Sequence, residues 1–152
     1  MNLHLKRTTS DDKDFQSLVK LLDKYLAVID GDEHDFYNQF NKPEMLNEVV
    51  VAYDNESPVA CGALKSFSKE AVELKRMYVL EEYRGKGAAQ QVLKGLEDWA
   101  AELGFIKCVL ETGKRMPDAI RFYTKTGYQS IPNYGQYIGM ENSVCFDKSL
   151  KA

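Results

Sequence analysis

Ala71-Val72-Glu73-Leu74-Lys75-Arg76-Met77-Tyr78-Val79-Leu80, followed by Glu81-Glu82-Tyr83 and then Arg84-Gly85-Lys86-Gly87-Ala88-Ala89, leads into an amphipathic run that ends at Leu103. The first ten residues are rich in β-branched and aromatic side chains and stop at an acidic turn, so they read as a strand. From Val92 the apolar residues fall at Val92, Leu93, Leu96, Trp99, Ala100 and Leu103, with Gln90, Gln91, Lys94, Glu97, Asp98 and Glu102 outside the stripe. That spacing predicts a helix, which Gly104 closes in the position that favours a left-handed backbone. Two glycines one residue apart, flanked by Arg84 and Lys86, join the strand to the helix. Glycine permits positive φ and carries no Cβ to block close approach. A helix N-terminus adds free N–H groups and a partial positive charge, so a phosphate or pyrophosphate suits this loop. A plain strand-to-helix turn has the same composition.

The loop fits neither of the common nucleotide patterns. No lysine followed by Ser or Thr closes its second glycine, and Gln90 stands where the third glycine of a dinucleotide fingerprint belongs. Arg84-Gly85-Lys86-Gly87-Ala88 instead resembles the acyl-CoA loop of the GNAT superfamily of N-acetyltransferases, and Val79 to Tyr83 precede it at that family's usual distance. The family's second signature is matched by Ala119-Ile120-Arg121-Phe122-Tyr123 with Gly127-Tyr128. The resemblance covers nearly the whole chain, its specific motifs lying between Glu73 and Tyr128.

Residues 1–152 read as a single domain, long enough to bury roughly two thirds of the unfolded surface in one core. A formal net charge of -3 argues against a nucleic-acid binder held by phosphate attraction. No apolar segment is long enough to be a signal or to span a membrane, and Cys61, Cys108 and Cys145 sit apart in apolar runs. Reduced core thiols in a cytoplasmic protein without a metal site are the expectation.

Leu3 to Thr8 alternates as a first strand. Asp11 can cap the helix that follows, whose apolar face is Phe15, Leu18, Val19, Leu22, Tyr25, Leu26 and Ile29. Asp30-Gly31-Asp32-Glu33-His34-Asp35 reads either as a solvated loop or as an acceptor-side lid whose negative field favours a cationic amine, and a short helix follows before Pro43. Asn47 to Tyr53 and Val59 to Phe67 form a hairpin that continues into the strand Ala71 to Leu80 as an antiparallel meander. Ile106 to Thr112, reached through the helix crossover, lies parallel to that strand. Pro117 starts a further helix that Gly127 stops, and Tyr128 to Ile131 and Asn142 to Leu150 are closing strands.

The resemblance implies an α+β, three-layer αβα fold with a mixed, mostly antiparallel sheet of about six to seven strands and helices on both faces. It implies acetyl-CoA as cosubstrate, with Arg84, Gly85, Lys86, Gly87, Ala88 and Ala89 on the pyrophosphate and Val79 on the pantetheine. Backbone amides near Met77, Tyr78 and Val79 would polarise the thioester carbonyl. Attack needs a neutral amine, and an alkylamine with a pKa near about 10.4 is neutral in only about one molecule in a thousand near pH 7.4. A carboxylate base is therefore useful, and Glu73 stands where many family members carry a catalytic glutamate. Strict alternation puts Glu73 on one face with Lys75, Met77 and Val79, although the family's strand is commonly bulged, which breaks that parity. Glu73 paired with a neighbouring Lys75 or Arg76 is the competing reading. Tyr123 is the candidate acid for the leaving thiolate, the alternative being a packing aromatic. Asp32, Glu33 and Tyr37 mark the acceptor side. The first function expected is transfer of an acetyl group to a primary amine of a small molecule. An acyl-CoA-binding sensor without turnover and a protein N-acetyltransferase are the alternatives, and family habit suggests a homodimer.

Overall fold

A computed structural model describes residues 2–33 and 45–150. The expected short helix before Pro43, with Asp35 and Tyr37, lies outside the described residues. Seven strands, β1 (His4–Thr8), β2 (Glu48–Asp54), β3 (Ser57–Ser66), β4 (Ala71–Val79), β5 (Lys107–Gly113), β6 (Gln129–Ile131) and β7 (Ser143–Ser149), form one sheet in the order β1-β2-β3-β4-β5-β7-β6. Only β4 and β5 run parallel, and the other neighbours are antiparallel. The β2–β3 turn is tighter than its polar composition suggests, because pairing continues to Asp54 and Ser57 and leaves Asn55-Glu56 as the link. Asn55 accommodates it with φ +56°.

Helix α1 (Lys13–Asp30) covers one face of the sheet. Asp12, not Asp11, caps it: Oδ1 of Asp12 accepts the Phe15 N–H at 3.0 Å. Because the first helical residue is Lys13, Asp11 stands one position too early for a cap. Phe15 and Leu18 of α1 pack on Val49, Val51, Cys61 and Ala63. Helices α2 (Ala88–Glu102) and α3 (Pro117–Lys125) cover the other face, where Val92, Leu93 and Leu96 meet Val50, Ala52, Leu64 and Leu74. Because helices lie on both sides, Val49, Val50, Val51 and Ala52 are buried consecutively and β2 reads as an apolar run instead of alternating. This is the α+β arrangement with helices on both faces of a mixed sheet.

One irregularity positions the site. Cys61 faces Tyr78 while Ala63 faces Lys75, so two residues of β4, Arg76 and Met77, stand opposite Gly62. Arg76 adopts φ +61°, a left-handed conformation uncommon outside glycine. The extra residue makes a bulge and inverts the side-chain alternation beyond it. The expectation that Glu73, Lys75, Met77 and Val79 share a face is thereby corrected. Glu73 and Lys75 are paired with Lys65 and Ala63 on the α1 side. Met77 and Val79 belong to the core under α2. Gly62 makes room for the displaced side chain, since a Cβ there would stand 2.5 Å from Met77 Sδ and 2.8 Å from Leu96 Cδ1.

Candidate active site

Directly after β4 the chain makes a short helical turn, Glu81–Tyr83, and then the loop Arg84-Gly85-Lys86-Gly87 into α2. Gly85 and Gly87 take φ +76° and +88°, and no heavy atom lies within 4 Å of where a Cβ would sit on either. The helix bonds begin with the Gln91 N–H on the Gly87 carbonyl at 3.1 Å, and Gly87 supplies no side-chain cap. The amides of Ala88, Ala89 and Gln90 therefore precede the ladder, in the position from which a helix N-terminus binds anions. Arg84 turns back along its own strand. Its Nε donates to the Val79 carbonyl at 3.0 Å, and its guanidinium lies 5.3 Å from the Tyr25 ring centroid and 5.5 Å from that of Tyr78. Tyr83 braces the turn by donating to Asp54 at 2.8 Å, with the Lys86 ammonium 5.8 Å from its ring. The open glycines and unladdered amides fit a polyphosphate, while Arg84 holds the loop to α1 and β4.

The second part of the site is a split in the sheet. The pairing of β4 with β5 covers Ala71 with Lys107, Val72 with Cys108 and Glu73 with Val109, and ends there, although both strands continue. Beyond it lies a cavity of about 180 Å³, walled by Leu22, Leu26 and Ile29 of α1, by β4 from Glu73 to Met77, by β5 from Leu110 to Gly113, and by Tyr123. Glu73 and Tyr123, fifty positions apart in the chain, are thus brought to one cavity.

Glu73 is 6 % exposed. Its Oε2 accepts the Tyr134 hydroxyl at 2.7 Å, and Lys75 Nζ lies 3.9 Å from its Oε1. Burial, and then the adjacent Glu73 carboxylate, push the Tyr134 phenol well above its ordinary range, so Tyr134 remains a donor. A second carboxylate, unforeseen from the sequence, stands in the same wall. Glu111 lies two residues beyond Val109 on β5 and therefore on the same side of the sheet as Glu73. Its carboxyl is pushed up to about 7, chiefly by burial and further by Asp30 and Glu73, against the opposing effects of the Ser143 hydroxyl and Lys75. A lone glutamate at the end of the apolar run Cys108-Val109-Leu110 was the signal available for it. Tyr134 had no such signal.

Tyr123 is 8 % exposed and packs edge-on against Phe122 and Tyr128, with ring centroids 5.1 and 5.7 Å away. Its hydroxyl has no hydrogen-bond partner among the described residues, and burial raises its phenol above the ordinary value. Asp32 is exposed and does not line the cavity. Glu33 does line it, but its carboxylate accepts the Asn142 side-chain amide and lies 3.5 Å from Arg115 Nη2. Arg115 also donates to the Ile29 and Asp30 carbonyls at 3.2 and 2.8 Å. All three cysteines are buried and free. Among the described residues no helix is long and apolar enough to cross a membrane, and no group of three metal-ligating side chains converges.

The sequence profile of the Acetyltransferase (GNAT) family matches residues 15–128, which take in α1, the loop, the split strands and Tyr123. The chain belongs to the GNAT family. It is 32% identical over 111 residues to the Uncharacterized N-acetyltransferase YjgM of Escherichia coli (strain K12), a match spanning 72% of this chain and 66% of that protein. A crystal structure from Klebsiella pneumoniae, assigned as an acyl-CoA N-acyltransferase, superposes with a TM-score of 0.81 at 24% identity, covering 98% of each chain. The PaiA N-acetyltransferase of Thermoplasma acidophilum, solved in complex with coenzyme A, gives 0.71 at 15% identity over 98% of this chain and 99% of that one. At these identities the structures attest the GNAT fold, and the profile attests the family.

Proposed function

We propose that this GNAT acetyltransferase moves the acetyl group of acetyl-CoA to a primary amine of a small molecule, with Glu73 as base and Tyr123 as acid. One observation carries the reading: Glu73 and Tyr123, whose hydroxyl has no partner among the described residues, line the same cavity at the split between β4 and β5. The loop amides of Ala88 and Ala89 would hold the pyrophosphate, and the glycines give it room. The PaiA structure, which contains coenzyme A in the same fold, supports the choice of cosubstrate.

In this reading the ammonium gives a proton to Glu73, directly or through water, and the neutral amine attacks the thioester carbonyl, its nitrogen shedding a second proton to water as the amide forms. A C–N bond forms and the C–S bond breaks. The departing thiolate takes the Tyr123 hydroxyl proton, which solvent later restores. Tyr123 suits an acid better than a base, because its burial keeps the phenol protonated at neutral pH. Tyr134 orients Glu73 by donating its hydroxyl to Oε2.

Titration calorimetry with acetyl-CoA and with CoA, followed by thiol release over a panel of amines and peptides, tests the proposal. Binding with release on small amines is the expected result. Binding without release on any of them would replace the enzyme by a sensor, release on peptides alone would move the acceptor to protein, and absence of binding would overturn the reading of the loop.

A further inference from the structure

We propose that the acceptor is amino-acid-like, carrying an anionic group a few bonds from its amine, and that Lys75 receives that group. The inference rests on the cavity being the acetyl-transfer site. Lys75 lines the cavity from β4, and its side chain is only 9% exposed. A buried ammonium is ordinarily hydrogen-bonded, because leaving its donors dry is costly. Here the nearest carboxylate oxygen, Oε1 of Glu73, lies at 3.9 Å, beyond hydrogen-bond reach, and no described residue accepts a hydrogen bond from Nζ. Glu73 and Glu111 balance the charge of Lys75 across space, but each is bonded elsewhere, Glu73 to Tyr134 and Glu111 to Ser143. Three N–H donors are left facing the cavity.

The other cations of the wall are differently placed. Arg76 reaches Asp23 of α1 at 2.8 Å. Arg115 is held by Glu33 and by the Ile29 and Asp30 carbonyls. Lys75 is thus the wall cation whose donors await an acceptor atom. Its position also sets the length of the ligand. Lys75 Nζ stands 3.9 Å from Glu73 Oε1, so the two side chains meet a ligand at points only a few bonds apart. An amine delivered to Glu73 and an anion delivered to Lys75 then belong to one short molecule, as in an amino acid. A polyamine would bring a second cation up to Lys75 and leave its donors unmet. Of the four described acidic residues at the cavity, Asp30, Glu33, Glu73 and Glu111, Glu33 has its charge answered by Arg115.

The test compares matched pairs: the common L-amino acids against their carboxamides, with putrescine and spermidine alongside. Kd is read by titration into CoA-loaded protein, and kcat/KM by thiol release. The best carboxylate is expected to exceed its own amide by tenfold or more in both readouts. That ratio should fall to near one in Lys75→Met and be largely retained in Lys75→Arg, which keeps the charge. An amide or polyamine that equals the carboxylates, a ratio that survives Lys75→Met, or no amino acid binding the CoA-loaded protein would overturn the proposal. The wild-type comparison decides the matter even if Lys75→Met does not fold. Acetylation of polyamines alone would leave the transferase reading standing and remove this one, whereas failure to bind CoA would remove both.

Discussion

Replacing Glu111 by Gln should flatten the pH dependence of folding stability between about pH 4.5 and 7. In the folded protein the Glu111 carboxyl is pushed up to about 7 from an ordinary 4.5, first by burial and then by Asp30 and Glu73. The folded state therefore binds a proton more tightly than the unfolded chain, so the stabilisation is complete below the unfolded value and is lost as pH rises through the folded one. At ~1.36 kcal/mol per tenfold change in proton affinity, the full difference is about 3 kcal/mol. Urea unfolding of wild type and Glu111→Gln at half-unit steps from pH 4.5 to 8 isolates this contribution, since the other ionisable groups are shared by both proteins. The wild type should lose about 3 kcal/mol relative to the variant across that window. Parallel stability curves would refute the argument, because they would mean that Glu111 titrates alike in the folded and unfolded chains and is not desolvated in the cavity wall.

Tyr123→Phe should lower kcat by about 100-fold or more, in the usual range for removing a general acid, while acetyl-CoA affinity by calorimetry changes little. Equal turnover would return Tyr123 to packing. Gly87→Val places a β-branched residue at φ +88°, and where the free loop relaxes, restoring that conformation at a cost of about 1–3 kcal/mol should appear as a roughly 5- to 150-fold weaker Kd for CoA. An unchanged Kd would mean that the loop does not hold the cosubstrate. Gly62→Ala should destabilise the fold by about 1–3 kcal/mol, because its Cβ meets Met77 Sδ at 2.5 Å and Leu96 Cδ1 at 2.8 Å, and Met77→Ala should make the same Gly62→Ala change less costly by urea unfolding.

Local features were legible in the sequence and remote ones were not. The glycine loop announced itself because a positive-φ pair and the start of a helical stripe are neighbours in the chain. The helix that brings Tyr123 to the cavity was legible through its motif. The face assignment along β4 needed the bulge, and nothing at Arg76 itself marks a left-handed residue; the space that permits it comes from Gly62 on the adjoining strand. The environment of Glu73 was hidden for the same reason, since Tyr134 bonds it across a separation of 61 residues. Glu111 lay in plain view, but an apolar strand with one carboxylate reveals its importance only when the opposing wall is known. Asp12 replaced Asp11 as cap because the first helical residue, not the first available carboxylate, decides which side chain reaches the open amide.

The position of β7 has a consequence for how the protein is made. Although β7 follows all the other strands along the chain, it lies inside the sheet, between β5 and β6. During synthesis β5 therefore leaves the ribosome with one edge bare, and Glu111 waits for Ser143 until residues 143–149 have emerged. The meander β1 to β4 and the glycine loop can form earlier from nearer contacts. The cavity between β4 and β5 is thus completed late in assembly, and a nascent chain halted before β7 presents an open β edge that chaperones and aggregating neighbours alike recognise.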